Sequence, residues 1–175
     1  LCLAETRFYY PESNITKNNL SVDVLVAIDN NQDFEYSKNE KIDQFGNTHL
    51  IFQQSYNNIP VFGKYLRAHF NSTGKLSSVS SNIYPNLKIN SIPNLKPLEI
   101  EGIASNYVNA DNISITNPKL SILIKDNAPL LCYTLDVIGF EEAWRYSVNA
   151  NSGEVEDKHS LVQHEGPTTG SGINL

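Results

Sequence analysis

The chain has 175 residues, 40% of them hydrophobic and 18% charged, with a formal net charge of −6 at pH 7. That length suffices for one sizeable domain or two small ones, and the composition is that of a folded chain rather than a disordered one. The 13 Lys and Arg are scattered without a basic run, which excludes the concentrated cationic face that nucleic-acid binding needs, and no stretch approaches the roughly 20 apolar residues that span a bilayer.

The opening Leu1-Cys2-Leu3-Ala4 reads either as the tail of a signal peptide's apolar core, with Ala4 near the cleavage point, or as an arbitrary boundary. The first 18 residues are mixed and Asn-rich, and are expected to wrap loosely onto the rest of the chain. Leu20, Val22, Leu25 and Val26, flanked by Ile28, fit a short helical stripe ending near Asp29-Asn30-Asn31. Residues 47–56 alternate, with Leu50, Phe52, Gln54 and Tyr56 on one face and His49, Ile51 and Gln53 on the other. Asn57-Asn58-Ile59-Pro60 reads as a turn. Residues 61–70 form a second strand, with Val61, Tyr65, Arg67 and His69 opposite Phe62, Leu66, Ala68 and Phe70. Asn71-Ser72-Thr73-Gly74 is another turn and Leu76 to Ser81 a third strand, so these segments predict an antiparallel meander.

Pro85, Pro93 and Pro97, among Asn and Ser, mark a linker. Pro97 suits a first helical position, and Ile100, Ile103, Ala104, Tyr107 and Val108 continue at helical spacing to Ala110. Strands are expected at 120–124, 130–138, 143–148 and 154–158. The fold class predicted is α+β: two small domains, each an antiparallel sheet with a packed helix. Beyond Val162 the pattern dissolves into a Pro- and Gly-rich tail that proteases can reach.

Catalytic chemistry is hard to find. His164-Glu165 begins a zinc-protease His-Glu-x-x-His motif, but position 168 is Thr and Pro167 breaks the helix. His49 and His69 can meet across paired strands, yet without a third ligand a satisfied structural role outweighs a metal site. Glu141-Glu142 falls in an expected hairpin turn and reads as solvated, while Trp144 alternates with Tyr146 and Val148 and reads as a core anchor. Cys132, in an apolar strand pattern, reads as a small buried residue, with pairing to Cys2 left open. The expected catalytic and metal-ligating residues number none.

The segment from Asp43 to Gly63, DQFGNTHLIFQQSYNNIPVFG, resembles the fungalysin/thermolysin propeptide motif D-x-x-G-x-x-H-x-x-x-x-Q-x-Y-x-G-x-P-V-F-G. Asn58 stands where the family usually has Gly, and Asn tolerates a left-handed turn. His69, Asn71 and Gly74-Lys75-Leu76 resemble the continuation. Residues 143–155, AWRYSVNANSGEV, are similar to the PepSY phrase W-x-Y-x-V-D-A-x-T-G-x-V, with Asn149 for Asp and Ser152 for Thr. Thr168 to Leu175 resembles the start of a mature protease of this family.

The resemblance implies an FTP-like propeptide domain at 1–84, a linker at 85–96, a PepSY-like domain at 97–162, and a processing linker with the start of the mature enzyme at 163–175. It implies the propeptide of a secreted zinc metalloendopeptidase, acting as intramolecular chaperone and inhibitor until autoproteolytic removal. A free-standing PepSY-containing inhibitor or binding module is the alternative. The structural motif residues would be His49, Gln53, Gln54, Tyr56, Pro60, Val61, Phe62, Gly63, His69, Trp144, Tyr146 and Gly153. His159, Val162, Gln163, His164, Glu165 and Gly166 would span the processing region. The implied partner is the cognate catalytic domain, which would carry zinc and calcium; this chain would hold no cofactor and meet neither nucleic acid nor membrane. Location would be secreted or periplasmic, after removal of a signal peptide.

Overall fold

A computed structural model describes residues 6–9, 14–18, 20, 33–107, 113–140 and 142–162. The helix expected from Leu20 to Asn31 therefore falls, but for Leu20, outside the described residues. Strands β1 (Thr6–Tyr9), β2 (Asp33–Ile42), β3 (Thr48–Tyr56), β4 (Ile59–Phe70) and β5 (Leu76–Ser81) precede one helix, α1 (Pro97–Ser105). After it come β6 (Ser114–Ile115), β7 (Lys119–Lys125), β8 (Ala128–Ile138), β9 (Ala143–Asn149) and β10 (Val155–Ser160).

These strands connect into a single ten-stranded mixed sheet, ordered β1-β5-β4-β7-β8-β9-β10, with β2 beside β3, β3 beside β4, and β6 beside β8. The expectation of two separate sheet-plus-helix domains is thereby overturned. Two physical causes stand out. Val61 of β4 pairs in parallel with Ile122 of β7, which local alternation does not foreshadow, and α1 is the only helix among the described residues. The chain gathers into two compact units, each discontinuous in sequence: Leu1–Pro93 with Leu120–Cys132, and Asn94–Lys119 with Tyr133–Leu175.

In the first unit the expected meander is present. Tyr56 pairs with Ile59 across a two-residue loop, and Asn57 and Asn58 have φ of 51° and 62°. Two successive left-handed residues match the right-handed twist of the flanking strands, which is why Asn serves at position 58 in place of Gly. At the next turn, Gly74 N–H donates to Asn71 O at 2.8 Å, and Asn71 Oδ1 accepts from Thr73 N and Lys75 N. The inward faces supply one core: Leu50, Phe52, Leu66, Ala68, Phe70, Leu76 and Val79, with Ile15, Leu20 and Ile83 packed beside it. Each fully covered large side chain contributes about 1.5–3 kcal/mol. The first residues do more than wrap loosely: β1 pairs along β5 from Thr6–Ser81 to Tyr9–Ser78.

Two irregularities re-aim the ladder. Between the pairs Gln53–Tyr65 and Ser55–Pro60, β3 and β4 lose register, and Gly63 in β4 has φ +69°. Past this kink the buried parity reverses: Leu66, Ala68 and Phe70 point inward on one side of it, Ile59 and Val61 on the other. Phe62, expected on the Leu66 face, is half-buried instead.

In the second unit Pro97 opens α1 as expected, Glu99 Oε2 accepts from Lys96 N at 2.7 Å, and Ile100 and Ala104 are fully buried. The last helical residue is Ser105; residues 108–112, which the sequence pattern would have included up to Ala110, lie outside the described residues. Strand β9 buries Tyr146 and Val148 completely.

Candidate functional site

The propeptide-like segment builds its own hydrogen-bonded frame, beginning at the β2–β3 connection. Asp43 Oδ1 accepts from Phe45 N and Asn47 N, both at 2.9 Å, and Oδ2 accepts from Asn47 Nδ2 at 2.9 Å. Gly46 closes the turn at φ +79°, its N–H on Asp43 O at 3.0 Å. These bonds favour the ionised carboxylate. The Asn47 side chain foremost, with the Asn47 and Phe45 amides and His49, lowers the Asp43 pKa to about 2.

Asp43 Oδ2 also lies 3.3 Å from His49 Nε2. His49 and His69 are direct cross-strand partners, and their Nδ1 atoms stand 2.7 Å apart with the rings edge-on at 69°. His69 Nε2 faces Ser80 Oγ at 3.3 Å. One row of polar contacts thus runs from Asp43 through both imidazoles to Ser80, beside a cleft of about 420 Å³ lined by Asn47, Phe70, Asn71, Ser77 and Ser78. Among the described residues no group of three or more His, Cys, Asp or Glu gathers to hold a metal.

Gln54 has no exposed surface. Its amide clamps the main chain of Tyr84: Nε2 donates to Tyr84 O and Tyr84 N donates to Oε1, both at 2.8 Å. The clamp imitates one rung of a ladder, tying the coil after β5 to the underside of β3. Gln53, one residue earlier, is half-buried and pairs with Glu35 and Tyr65. Tyr56 and Pro60 flank the hairpin loop, both half-buried. Asn82, which no sequence pattern singled out, fastens the kink: its Nδ2 donates to Gly63 O at 2.9 Å and its Oδ1 accepts from Tyr65 N at 2.8 Å. Asn after a strand is too common a turn residue for that role to be legible beforehand.

In the second unit Gly153 answers two demands at once. Its φ is +79°, and a Cβ there would stand 2.8 Å from Ile103 Cδ1 and 3.3 Å from Leu95 Cδ1. Only a glycine lets the β9–β10 turn approach α1. Tyr146 is the core anchor of this strand. Trp144 is not, contrary to expectation: it is half-buried, its indole N–H donates to Glu142 Oε2 at 2.7 Å, and Lys158 Nζ covers its ring at 4.0 Å. Alternation assigned it the face of Tyr146 and Val148, but at that end of β9 the ring is only partly covered and meets the Lys158 side chain. Glu142 is exposed, as a hairpin residue should be, and Glu141 lies outside the described residues. Arg145 grips Asp136 with Nε and Nη2 at 2.6 and 2.8 Å; this hydrogen bonding lowers the Asp136 pKa and raises that of Arg145.

Of the processing residues, His159 sits within β10 opposite Arg145, 3.3 Å from Asp157 Oδ2. Val162 lies just past the strand with 37% of its surface exposed. Gln163, His164, Glu165 and Gly166 lie outside the described residues, as does Cys2; Cys132 is fully buried in β8. No described helix is long and apolar enough to cross a membrane.

Comparison with known proteins agrees with this frame. Residues 32–83 match the Fungalysin/Thermolysin Propeptide Motif. The chain is 30% identical over 148 residues to thermolysins of Alicyclobacillus acidocaldarius subsp. acidocaldarius and of Bacillus caldolyticus, an alignment covering 77% of this chain and 27% of each of them. It is 25% identical over 140 residues to bacillolysin of Brevibacillus brevis, covering 71% of this chain and 26% of that protein. The chain thus spans about a quarter of the length of the curated relatives it matches. Among solved structures, the Bacillus megaterium YpeB C-terminal domain superposes at a TM-score of 0.47 with 14% identity, over 87% of this chain and 70% of that one; at that score the likeness carries no argument. Residues 32–83 carry a thermolysin-type propeptide motif, and the aligned stretch of this chain corresponds to about a quarter of the thermolysins it resembles.

Proposed function

We propose that this chain is an FTP- and PepSY-containing module that binds a thermolysin-type metalloprotease domain and inhibits it. One observation carries the reading: the propeptide motif matched at residues 32–83 coincides with a self-supporting hydrogen-bonded frame, from the Asp43 turn to the Gln54 clamp. The FTP-like part is assigned to 1–84, the linker to 85–96 and the PepSY-like part to 97–162. The partner domain supplies the zinc, and calcium with it; the setting is secreted or periplasmic.

Joined to its protease in one precursor, the module would act at high effective concentration. By binding the native enzyme but not its unfolded chain, it would also favour folding by mass action. The alignment with thermolysins supports this precursor form. Processing then falls beyond Val162, because residues up to Ser160 are paired with β9 and would have to leave the ladder to enter a cleft.

The test is to add the chain to a folded thermolysin-type protease and follow peptide hydrolysis. Saturable inhibition with a Kd of about 1 µM or tighter is expected, and full activity at far higher concentration would overturn the reading. A parallel refolding assay isolates the chaperone role: inhibition without faster refolding leaves a binding module alone.

A further inference from the structure

The His49–His69 pair is a structural element with a limited capacity for protons. At 2.7 Å between Nδ1 atoms, one ring must offer a lone pair and the other an N–H. In the neutral pair, each link has a direction that satisfies every group: Ser80 hydroxyl to His69 Nε2, His69 Nδ1–H to His49 Nδ1, and His49 Nε2–H to the Asp43 carboxylate. A first added proton is accommodated at His69 Nε2, with the Ser80 hydroxyl turning to accept. A second would set two N–H groups head to head across 2.7 Å, where no hydrogen bond exists and two cations repel.

We propose that His49 and His69 form a pH-sensitive latch on the β3–β4 pairing, closed while the pair carries at most one added proton and forced open by the second. The charged groups around it do not remove this limit. Asp43, on the β2–β3 connection, is the carboxylate that faces His49 Nε2. Lys41 of β2 is the cross-strand partner of His49, and Arg67 lies two residues from His69 on the same side of β4; both are cationic. Across β5 the neighbours are neutral, Ser78 by register and Ser80 by contact. Opening would release the strand ends that carry the Asp43–Asn47 turn and the Asn71 turn, which border the same cleft.

Proton counting gives the sign. An imidazole in an unfolded chain ionises near pH 6.5, so below that value the unfolded chain takes up two protons here while the closed latch has room for at most one. The unfolded state binds more protons, and stability is present above about pH 6.5 and is lost as pH falls. One excess proton weakens the folding equilibrium constant about tenfold per pH unit.

The experiment is urea unfolding of the whole 175-residue chain between pH 8 and pH 5, for the wild type, His69→Gln, His49→Gln and the control His159→Gln. The wild type and the control should lose stability more steeply than the two latch variants, by about tenfold per pH unit below about 6.5. Equal slopes in all four would overturn the latch. Should the latch variants fail to fold, nitrogen-15 NMR of the wild-type rings decides. Uptake of the second proton should coincide with loss of protection of the β3–β4 amides, and two fully protonated rings with those amides still protected would overturn it.

Discussion

Replacing Gln54 with Ala removes the Tyr84 clamp. Gln54 is wholly buried and makes two hydrogen bonds to Tyr84 at 2.8 Å. Truncation removes two bonds worth about 1 kcal/mol each and leaves the main-chain donor and acceptor without those partners. The vacated volume adds about 1 kcal/mol more. Because Tyr84 is itself only half-buried, water can reach part of the exposed main chain, which sets the expected loss at roughly 2–4 kcal/mol. In urea the midpoint should fall by about 1–2 M at unchanged slope, and exchange of the Tyr84 amide should accelerate. Gln54→Glu sharpens the case. It keeps the volume and the acceptor for Tyr84 N–H but sets a second acceptor against Tyr84 O, so it should cost at least as much at neutral pH and recover on acidification, when the carboxyl donates again. A loss below about 0.5 kcal/mol with the Tyr84 amide still protected would show that the clamp does not hold the coil to β3.

Gly153→Ala should cost about 1–3 kcal/mol, since both the backbone angle and the 2.8 Å approach to Ile103 oppose a Cβ; thermal melting measures it, and a loss no larger than that of an exposed-site control refutes the close approach. Trp144→Ala should cost only about 1–2 kcal/mol, because the indole is half-buried and its ring meets the charged end of Lys158; Tyr146→Ala, in the core, should cost about 3–5 kcal/mol in the same assay. Asn58→Val should destabilise by about 1–2 kcal/mol while Asn58→Gly should not, because position 58 has φ 62°. Asp136, its pKa lowered by Arg145, contributes stability above the ordinary carboxylate value near 3.9 that is lost as pH falls through its lower folded value; Asp136→Asn should flatten the acid end of the stability profile.

What was legible in the sequence was local. Period-two alternation located β3, β4 and β5 with their turns, and the strands of the second half came within a few residues, because each buries one face and is bounded by Asn, Gly or Pro. The helix start was legible from Pro97 alone. Strand β2, DFEYSKNEKI, was not, since only Phe34 and Tyr36 alternate before a polar run, and its full length comes from pairing with β3. Strand β6 is only two residues long. The parity reversal at Gly63 and the parallel Val61–Ile122 bridge depend on partners far along the chain, and with them went the division into two separate sheet-and-helix domains. At the candidate site, the cross-strand meeting of His49 and His69 was foreseeable from the strand register, whereas the Asn82 fastening and the incomplete burial of Trp144 depend on packing that no local pattern encodes.

The bridge between Val61 and Ile122 has a consequence for the order of events during synthesis. The unit that begins at the amino terminus is completed only by Leu120–Cys132, so an emerging chain that has reached Pro93 still lacks a strand its sheet requires. Until β7 arrives, the Ile59–Val61 edge stands open, an invitation to pair with a neighbouring nascent chain. The wide separation of these partners also raises contact order, which slows folding. Proline at position 60, which cannot donate to a ladder, guards that edge in the interval.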